Sequence, residues 1–246
     1  MRFAFAFGLL GGALLGMAAR SSSLEAGAWR ALALAEVYLA VCFLSLAMIY
    51  GLREAGVEVE DLSLRPVWSA VVRVVLLPYL LVGAAALYGS RWFDREGLLN
   101  PVAPGLFIGR LPFPFEAPRI RAAGIGAVLN LCWEFPRISG LHEEPGIETA
   151  RAPILDGSPP SDRQFREAIQ RVERWRAEGR RVFVHCAQGH GRTATITAAI
   201  LIRLGLASNV EEALSMIAAA RPLAKPSRQQ RAALCRYVAL DLSEPR

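Results

Sequence analysis

The chain has 246 residues, enough for one large domain or a smaller one with an appended region. Apolar residues make up 53% and charged residues 20%, which excludes a disordered or fibrous chain. The net charge of +6 is unevenly placed: residues 1–90 hold six Arg and six acids, so the whole excess lies in residues 91–246. No Lys/Arg run and no zinc-finger spacing accompanies it, so it points to a membrane or phosphate partner and not to nucleic acid.

Three apolar runs come first, at residues 3–19, 31–52 and 67–89. A bilayer core takes about 20 apolar residues of helix. The second and third runs each carry a single charge, Glu36 and Arg73. Pro66 suits the first turn of a third helix, Arg73 can snorkel toward headgroups, and Pro78 should kink that helix. The first run has a second reading as a signal peptide, because Arg2 precedes it and the small residues Gly16 and Ala18 close it. The expectation is a multi-pass membrane region over residues 1–90 with about three transmembrane helices. A cleaved signal and a buried soluble hairpin are the alternatives. Flanking arginines hardly discriminate orientation, with Arg20, Arg30, Arg91 and Arg95 on one side and Arg2, Arg53 and Arg65 on the other.

Residues 91–104 are polar with Pro and Gly and read as a linker. Residues 105–246 follow an α/β pattern. Residues 126–131 (GAVLNL) read as a buried strand. Ser161 and Gln164 form a capping box, and Phe165, Ala168, Ile169, Val172 and Trp175 then mark one helical face. Residues 181–184 (RVFV) read as a second strand. An apolar helix over residues 193–204 ends at Gly205, Asn209 and Glu212 cap the next helix through Ala220, and a last helix runs from about Ser227 to Leu240. The pattern predicts a parallel-type central sheet with helices on both faces. His142 reads as a surface-loop residue.

The chemistry is concentrated after the second strand, where His185-Cys186-Ala187-Gln188-Gly189-His190-Gly191-Arg192-Thr193 leads into a helix. A short glycine-bearing loop there aims backbone amides at an anion. That field favours a Cys186 thiolate, a nucleophile at neutral pH. Arg192 can grip two phosphate oxygens with its planar fork. Thr193 can donate its hydroxyl to the sulfur, and His185 orients the loop. His190 either touches substrate or caps the loop. A thiolate attacking phosphorus also needs an acid for the leaving alkoxide. Asp156, on the Gly/Ser/Pro-rich stretch before the Ser161 cap, is the candidate. Cys42, Cys132, Cys186 and Cys235 show neither the density of a disulfide framework nor metal-ligand spacing, so no metal and no cofactor are expected.

The run from His185 to Thr193 matches the His-Cys-x5-Arg-Ser/Thr signature and resembles the protein tyrosine phosphatase superfamily. The overall spacing resembles its compact dual-specificity branch over residues 104–240, with Gly105-Leu-Phe-Ile-Gly109 like the family's first strand and Arg221-Pro222 and Pro226-Ser227 before the last helix. The resemblance implies Cys186 as nucleophile, Arg192 as phosphate binder and Asp156 as general acid. The amides of Ala187, Gln188, Gly189, His190 and Gly191 would cradle the phosphate. It implies a membrane-anchored phosphatase acting on phosphotyrosine and phosphoserine/threonine proteins through a phosphocysteine intermediate. Leu129-Asn-Leu-Cys-Trp-Glu134 and the Asp-x-x-Pro-Pro stretch look like the tensin-type lipid phosphatases, so a phospholipid or phosphoinositide substrate is the alternative. Those enzymes carry two Lys in the signature loop, where Gln188 and His190 stand here. That resemblance also puts a redox partner of the nucleophile at Cys132. A non-catalytic module that holds phosphorylated ligands is a further alternative. Rhodaneses, in contrast, place Arg five residues after Cys, not six. A thiolate is protected in a reducing compartment, so the domain is expected to face the cytoplasm.

Overall fold

The computed structural model describes residues 2–22, 27–60, 66–91, 96–135, 141 and 144–241. The chain divides into two compact units, Met1–Trp92 and Phe93–Arg246. His142 lies outside the described residues, as do parts of both inter-helix connectors in the first unit.

In the first unit, α1 (Arg2–Ser21) packs along α2 (Gly27–Glu54). A Cβ at Gly11 would lie 2.7 Å from Leu44 Cγ and 3.2 Å from the Ala40 carbonyl oxygen, so the missing side chain is what lets the two helices close. Phe7 sits among Phe43, Tyr50 and Tyr79, with ring centroids 6.0, 5.7 and 6.4 Å away. The outward faces stay apolar, with Phe5, Leu34 and Val82 exposed.

Two helices among the described residues, Phe3–Ser21 and Trp29–Glu54, are long and apolar enough to cross a membrane, where three were expected. The third run is divided into α3 (Pro66–Val75) and α4 (Leu77–Ser90), each too short alone. Pro78 is the cause. It has no N–H for the Val74 carbonyl, four residues earlier, and its ring crowds that oxygen. The Tyr38 hydroxyl donates to the Val74 oxygen instead, at 2.5 Å.

The second unit runs β1 (Leu99–Ala103), β2 (Leu106–Arg110), α5 (Ala117–Ala122), β3 (Ile125–Cys132), β4 (Glu148–Ile154), α6 (Asp162–Ala177), β5 (Arg181–Cys186), α7 (Gly191–Arg203), α8 (Val210–Ala220) and α9 (Arg228–Asp241). The five strands lie in the order β1-β2-β5-β3-β4. All neighbours are parallel except β1, which pairs antiparallel with β2. Part of the stretch expected as a linker is therefore the edge strand of the sheet. Leu98 and Val102, beside its polar residues, are buried and anchor it.

Phe107, Phe183 and Val128 are register partners across β2, β5 and β3, and pack with Ala117 and Ile120 of α5 on one face. On the other, α6 buries Phe165, Ala168, Ile169, Val172 and Trp175, the stripe its periodicity predicts. Helix α7 is buried from Arg192 to Ile202 and has neighbours in α6, α8 and α9, which is why its apolar residues show no polar face. The expected caps form. Ser161 Oγ accepts from the Gln164 amide at 3.2 Å, and Asn209 Oδ1 accepts from the Glu212 amide at 2.9 Å. This arrangement brings the carboxyl ends of β2, β5, β3 and β4 to one edge, where sheets of this type place their sites.

Candidate active site

Cys186 ends β5 opposite Arg110 of β2 and is buried. The chain then turns through residues 187–190 into α7. The Leu111 amide donates to the Ala187 carbonyl at 3.0 Å. Arg221 Nη2 donates to the Gln188 carbonyl at 2.8 Å. Gly189 has φ +75°, and a Cβ there would lie 2.3 Å from the Gly109 carbonyl oxygen. Both the left-handed backbone and the close approach demand glycine. His190 is the N-cap of α7, and its side chain makes no capping bond. The first amides of α7 are thus left to face an anion.

Arg192, one residue into that helix, is 2% exposed. Its Nη1 donates to Glu134 Oε2 at 2.8 Å and to the Ile154 carbonyl at 2.9 Å, and its Nη2 donates to Glu134 Oε1 at 2.6 Å. Asp156 Oδ1 lies 3.0 Å from the same Nη2, although its side chain is 64% exposed. Burial alone would weaken the arginine's charge, but Glu134 and Asp156 overcome that and hold the guanidinium firmly protonated. Glu134 holds both terminal nitrogens of the fork, and the loop after β4 carries Asp156 to Nη2 of the same guanidinium.

Thr193 is fully buried, and its hydroxyl has no hydrogen-bond partner among the described residues. His185 is buried, stacks on Phe183 with ring centroids 5.3 Å apart, and has Nδ1 3.3 Å from the Cys186 carbonyl oxygen. Burial lowers its pKa to about 4, so the ring is neutral near pH 7. His190 Nε2 lies 2.8 Å from Glu96 Oε2, so its ring is tied to the segment before β1. Cys132 ends β3, the strand beside β5, where Asn130 pairs with His185, so both cysteines stand at the same edge of the sheet. Burial, then the charge of Glu134, pushes the Cys132 thiol well above its usual range. Among the described residues no three His, Cys, Asp or Glu side chains are grouped to hold a metal ion.

Glu96 escapes the sequence reading, and Glu134 and Arg221 enter it only through a resemblance that gives them no partner. The ion pair of Glu134 with Arg192 spans 58 positions. Glu96 lay in the supposed linker. It accepts from the Leu223 amide at 2.7 Å and lies 3.1 Å from Arg221 Nη2. Burial works against its charge, but Leu223, His190 and Arg221 together hold its carboxyl below the usual range. Arg221 is fully buried and also donates to Gly97 O at 2.8 Å and Asn100 Oδ1 at 2.9 Å. Together Glu96 and Arg221 tie the start of β1 to the cysteine loop.

A family model described as Tc-R-P, polymorphic toxin system, DSP-PTPase phosphatase, matches residues 116–206. The phosphatidylglycerophosphate phosphatase PTPMT1 of Arabidopsis thaliana is 28% identical over 116 residues, 46% of this chain and 33% of that protein. The human dual specificity protein phosphatase 12 is 34% identical over 112 residues, 44% of this chain and 32% of that protein. The chain thus spans about a third of the length of the curated relatives it matches. A crystal structure of Tk-PTP in the active form matches with a TM-score of 0.53 at 27% identity, over 57% of this chain and 95% of that one. With the signature loop, the strand order and these likenesses in agreement, the second unit is a dual-specificity-phosphatase-like domain of the protein tyrosine phosphatase type.

Proposed function

We propose that the protein is a membrane-anchored, cysteine-dependent phosphomonoesterase. The observation that carries this is the convergence of Cys186, the amides of residues 187–191, the Glu134-held Arg192 fork and Asp156 at one sheet edge.

The substrate phosphate sits in the amide cradle with two oxygens on Arg192. The Cys186 thiolate attacks phosphorus from below, forming a P–S bond as the P–O bond to the alcohol breaks. Asp156 gives its proton to the departing alkoxide. The resulting carboxylate then takes a proton from water, which attacks the phosphocysteine and releases phosphate and the thiolate. Thr193 turns its unsatisfied hydroxyl to the sulfur as that bond breaks. Neutral His185 holds the loop without exchanging protons. The curated relatives named above include a phospholipid phosphatase and a protein phosphatase, so both substrate classes fit the reading.

The test is leaving-group dependence. Cys186→Ser abolishes turnover with every substrate. Asp156→Ala costs about 10²–10⁴ in rate on alkyl phosphates and much less on p-nitrophenyl phosphate, whose leaving group hardly needs a proton. Full activity of Cys186→Ser sinks the mechanism, and so does an equal loss on both substrates for Asp156→Ala. The same preparations test Cys132. Peroxide converts the Cys186 thiolate to a sulfenic acid, and attack by the Cys132 thiol expels water and leaves a disulfide. Peptide mapping after mild peroxide then finds a Cys132–Cys186 link, and Cys132→Ser makes inactivation irreversible by thiol reductants.

A further inference from the structure

Residues 222–227 connect α8 to α9, and the residues flanking them reach both ends of the cysteine loop. Arg221, just before them, donates to the Gln188 carbonyl at 2.8 Å. Gln230, just after them, approaches so closely that a Cβ on Gly191 would lie 2.7 Å from its Oε1. Gln230 Nε2 also donates to the Ser158 carbonyl at 3.1 Å, on the stretch that carries Asp156. The connector therefore rims the phosphate site. Its inward residue Ala224 is buried, while Leu223 is 60% exposed. Lys225, the chain's single lysine, and Arg228 are exposed, with no ion-pair partner among the described residues.

A second apolar side chain stands on the same edge. Phe115 follows β2, four residues after the Leu111 amide that holds Ala187, and is 72% exposed. Apart from Leu240 near the end of α9, Phe115 and Leu223 are the large apolar side chains exposed in this unit among the described residues. The Leu223 amide is held by Glu96, just before β1, and Phe115 follows the carboxyl end of β2. A soluble substrate gives no reason for two such side chains to be concentrated beside a phosphate site. Apolar side chains flanked by uncompensated cations are the composition of a surface that enters the headgroup layer of an anionic bilayer. The same chain carries two helices of membrane-spanning length.

We infer that Phe115, Leu223, Lys225 and Arg228 form a bilayer-contacting rim, and that the substrate is a phospholipid whose headgroup ends in a phosphomonoester. This rests on the phosphomonoesterase reading above. The rim seats the domain on the membrane so that the cradle meets the phosphate at headgroup depth.

The test uses the full chain reconstituted in phosphatidylcholine/phosphatidylglycerol vesicles doped with phosphatidic acid. Phe115→Ser/Leu223→Ser, which leaves the catalytic groups intact, lowers the rate on vesicle-borne phosphatidic acid about tenfold, the loss of partial burial of two apolar side chains. Rates on p-nitrophenyl phosphate and on dispersed dihexanoyl phosphatidic acid stay at the wild-type value. An undiminished vesicle rate, or an equal fall on p-nitrophenyl phosphate, overturns the rim. So does wild-type protein that cleaves phosphopeptides and ignores the vesicle lipid, because the partner is then a protein. A readout free of catalysis separates the two readings: amide hydrogen exchange of residues 222–228 slows in nanodiscs containing phosphatidylglycerol relative to pure phosphatidylcholine. Protection without any turnover leaves the rim standing and defeats the phosphatase reading, whereas turnover without protection does the reverse.

Discussion

His185 shows how a single buried side chain ties stability to pH. Its folded pKa is about 4, against 6.5 for the free ring. The unfolded chain therefore binds a proton that the folded chain refuses between those values. The stabilisation is fully present above pH 6.5 and is lost as pH falls toward 4. Over that window the difference amounts to about 3 kcal/mol for a fully buried group. The thermal midpoint of the wild-type phosphatase unit should fall steeply from pH 6.5 to 4, and His185→Asn should flatten that fall. A variant with the same pH slope as wild type would assign the acid sensitivity to other groups. Glu134 makes the complementary point about charge. Buried against Arg192, it supplies the countercharge that keeps the fork in place. Glu134→Ala leaves a buried guanidinium short of its main partner, and a loss of several kcal/mol in stability is expected, with phosphate binding weakened, in thermal and binding measurements alike.

At the scale of elements, the strand–loop–helix unit β5–α7 is shaped by what surrounds it. Its turn is held by Leu111 from the end of β2 and by Arg221 from the end of α8. Gly189 sits where β2 leaves no room for a side chain, 2.3 Å from the Gly109 carbonyl. Gly189→Ala has to move that contact and also accept an unfavourable backbone, which costs about 1–2 kcal/mol on its own. A fall in kcat/KM on p-nitrophenyl phosphate of at least about tenfold is expected, because one misaimed amide of an oxyanion-type cradle costs that much or more. Arg221→Lys keeps the charge but loses the planar fork, which here bridges Gln188, Gly97, Asn100 and Glu96. Its defect should lie in kcat, with Cys186 still present and titratable by alkylation. Unchanged kcat in both variants would show that the loop holds its shape without these supports.

For the molecule as a whole, the division into Met1–Trp92 and Phe93–Arg246 separates an apolar unit of net charge +1 from one of net charge +5. We propose that the first unit is embedded in a membrane and that the phosphatase unit faces the cytoplasm, where reductants keep Cys186 as a thiol or thiolate. A reporter that functions on only one side of the membrane, fused after Arg246, should be active on the cytoplasmic side. Activity only on the exported side would reverse the orientation. The broken third run bears on the count of crossings. Pro78→Ala restores the N–H that the Val74 carbonyl lacks and should join α3 to α4 into one helix, raising the helical signal of the reconstituted chain.

The sequence by itself determined what depends on neighbours along the chain. The helical stripe of α6, the Ser161 and Asn209 caps, the β5 strand and the cysteine loop that follows it are local patterns, and they read correctly because hydrogen bonding within a turn or a cap fixes them. The apolar lengths of α1 and α2 were equally legible. What only the tertiary structure decided is long-range pairing. Residues 99–103 look like a polar linker, yet Leu98 and Val102 find a core beside β2. The strand β4 shows little alternation, and it forms because β3 offers it an edge. Glu134 and Arg192 are 58 residues apart, and Glu96 and Arg221 are further apart still, so no periodicity links them. A buried charge must be matched by whichever opposite charge the fold brings within reach, and that choice is made in space and not along the chain.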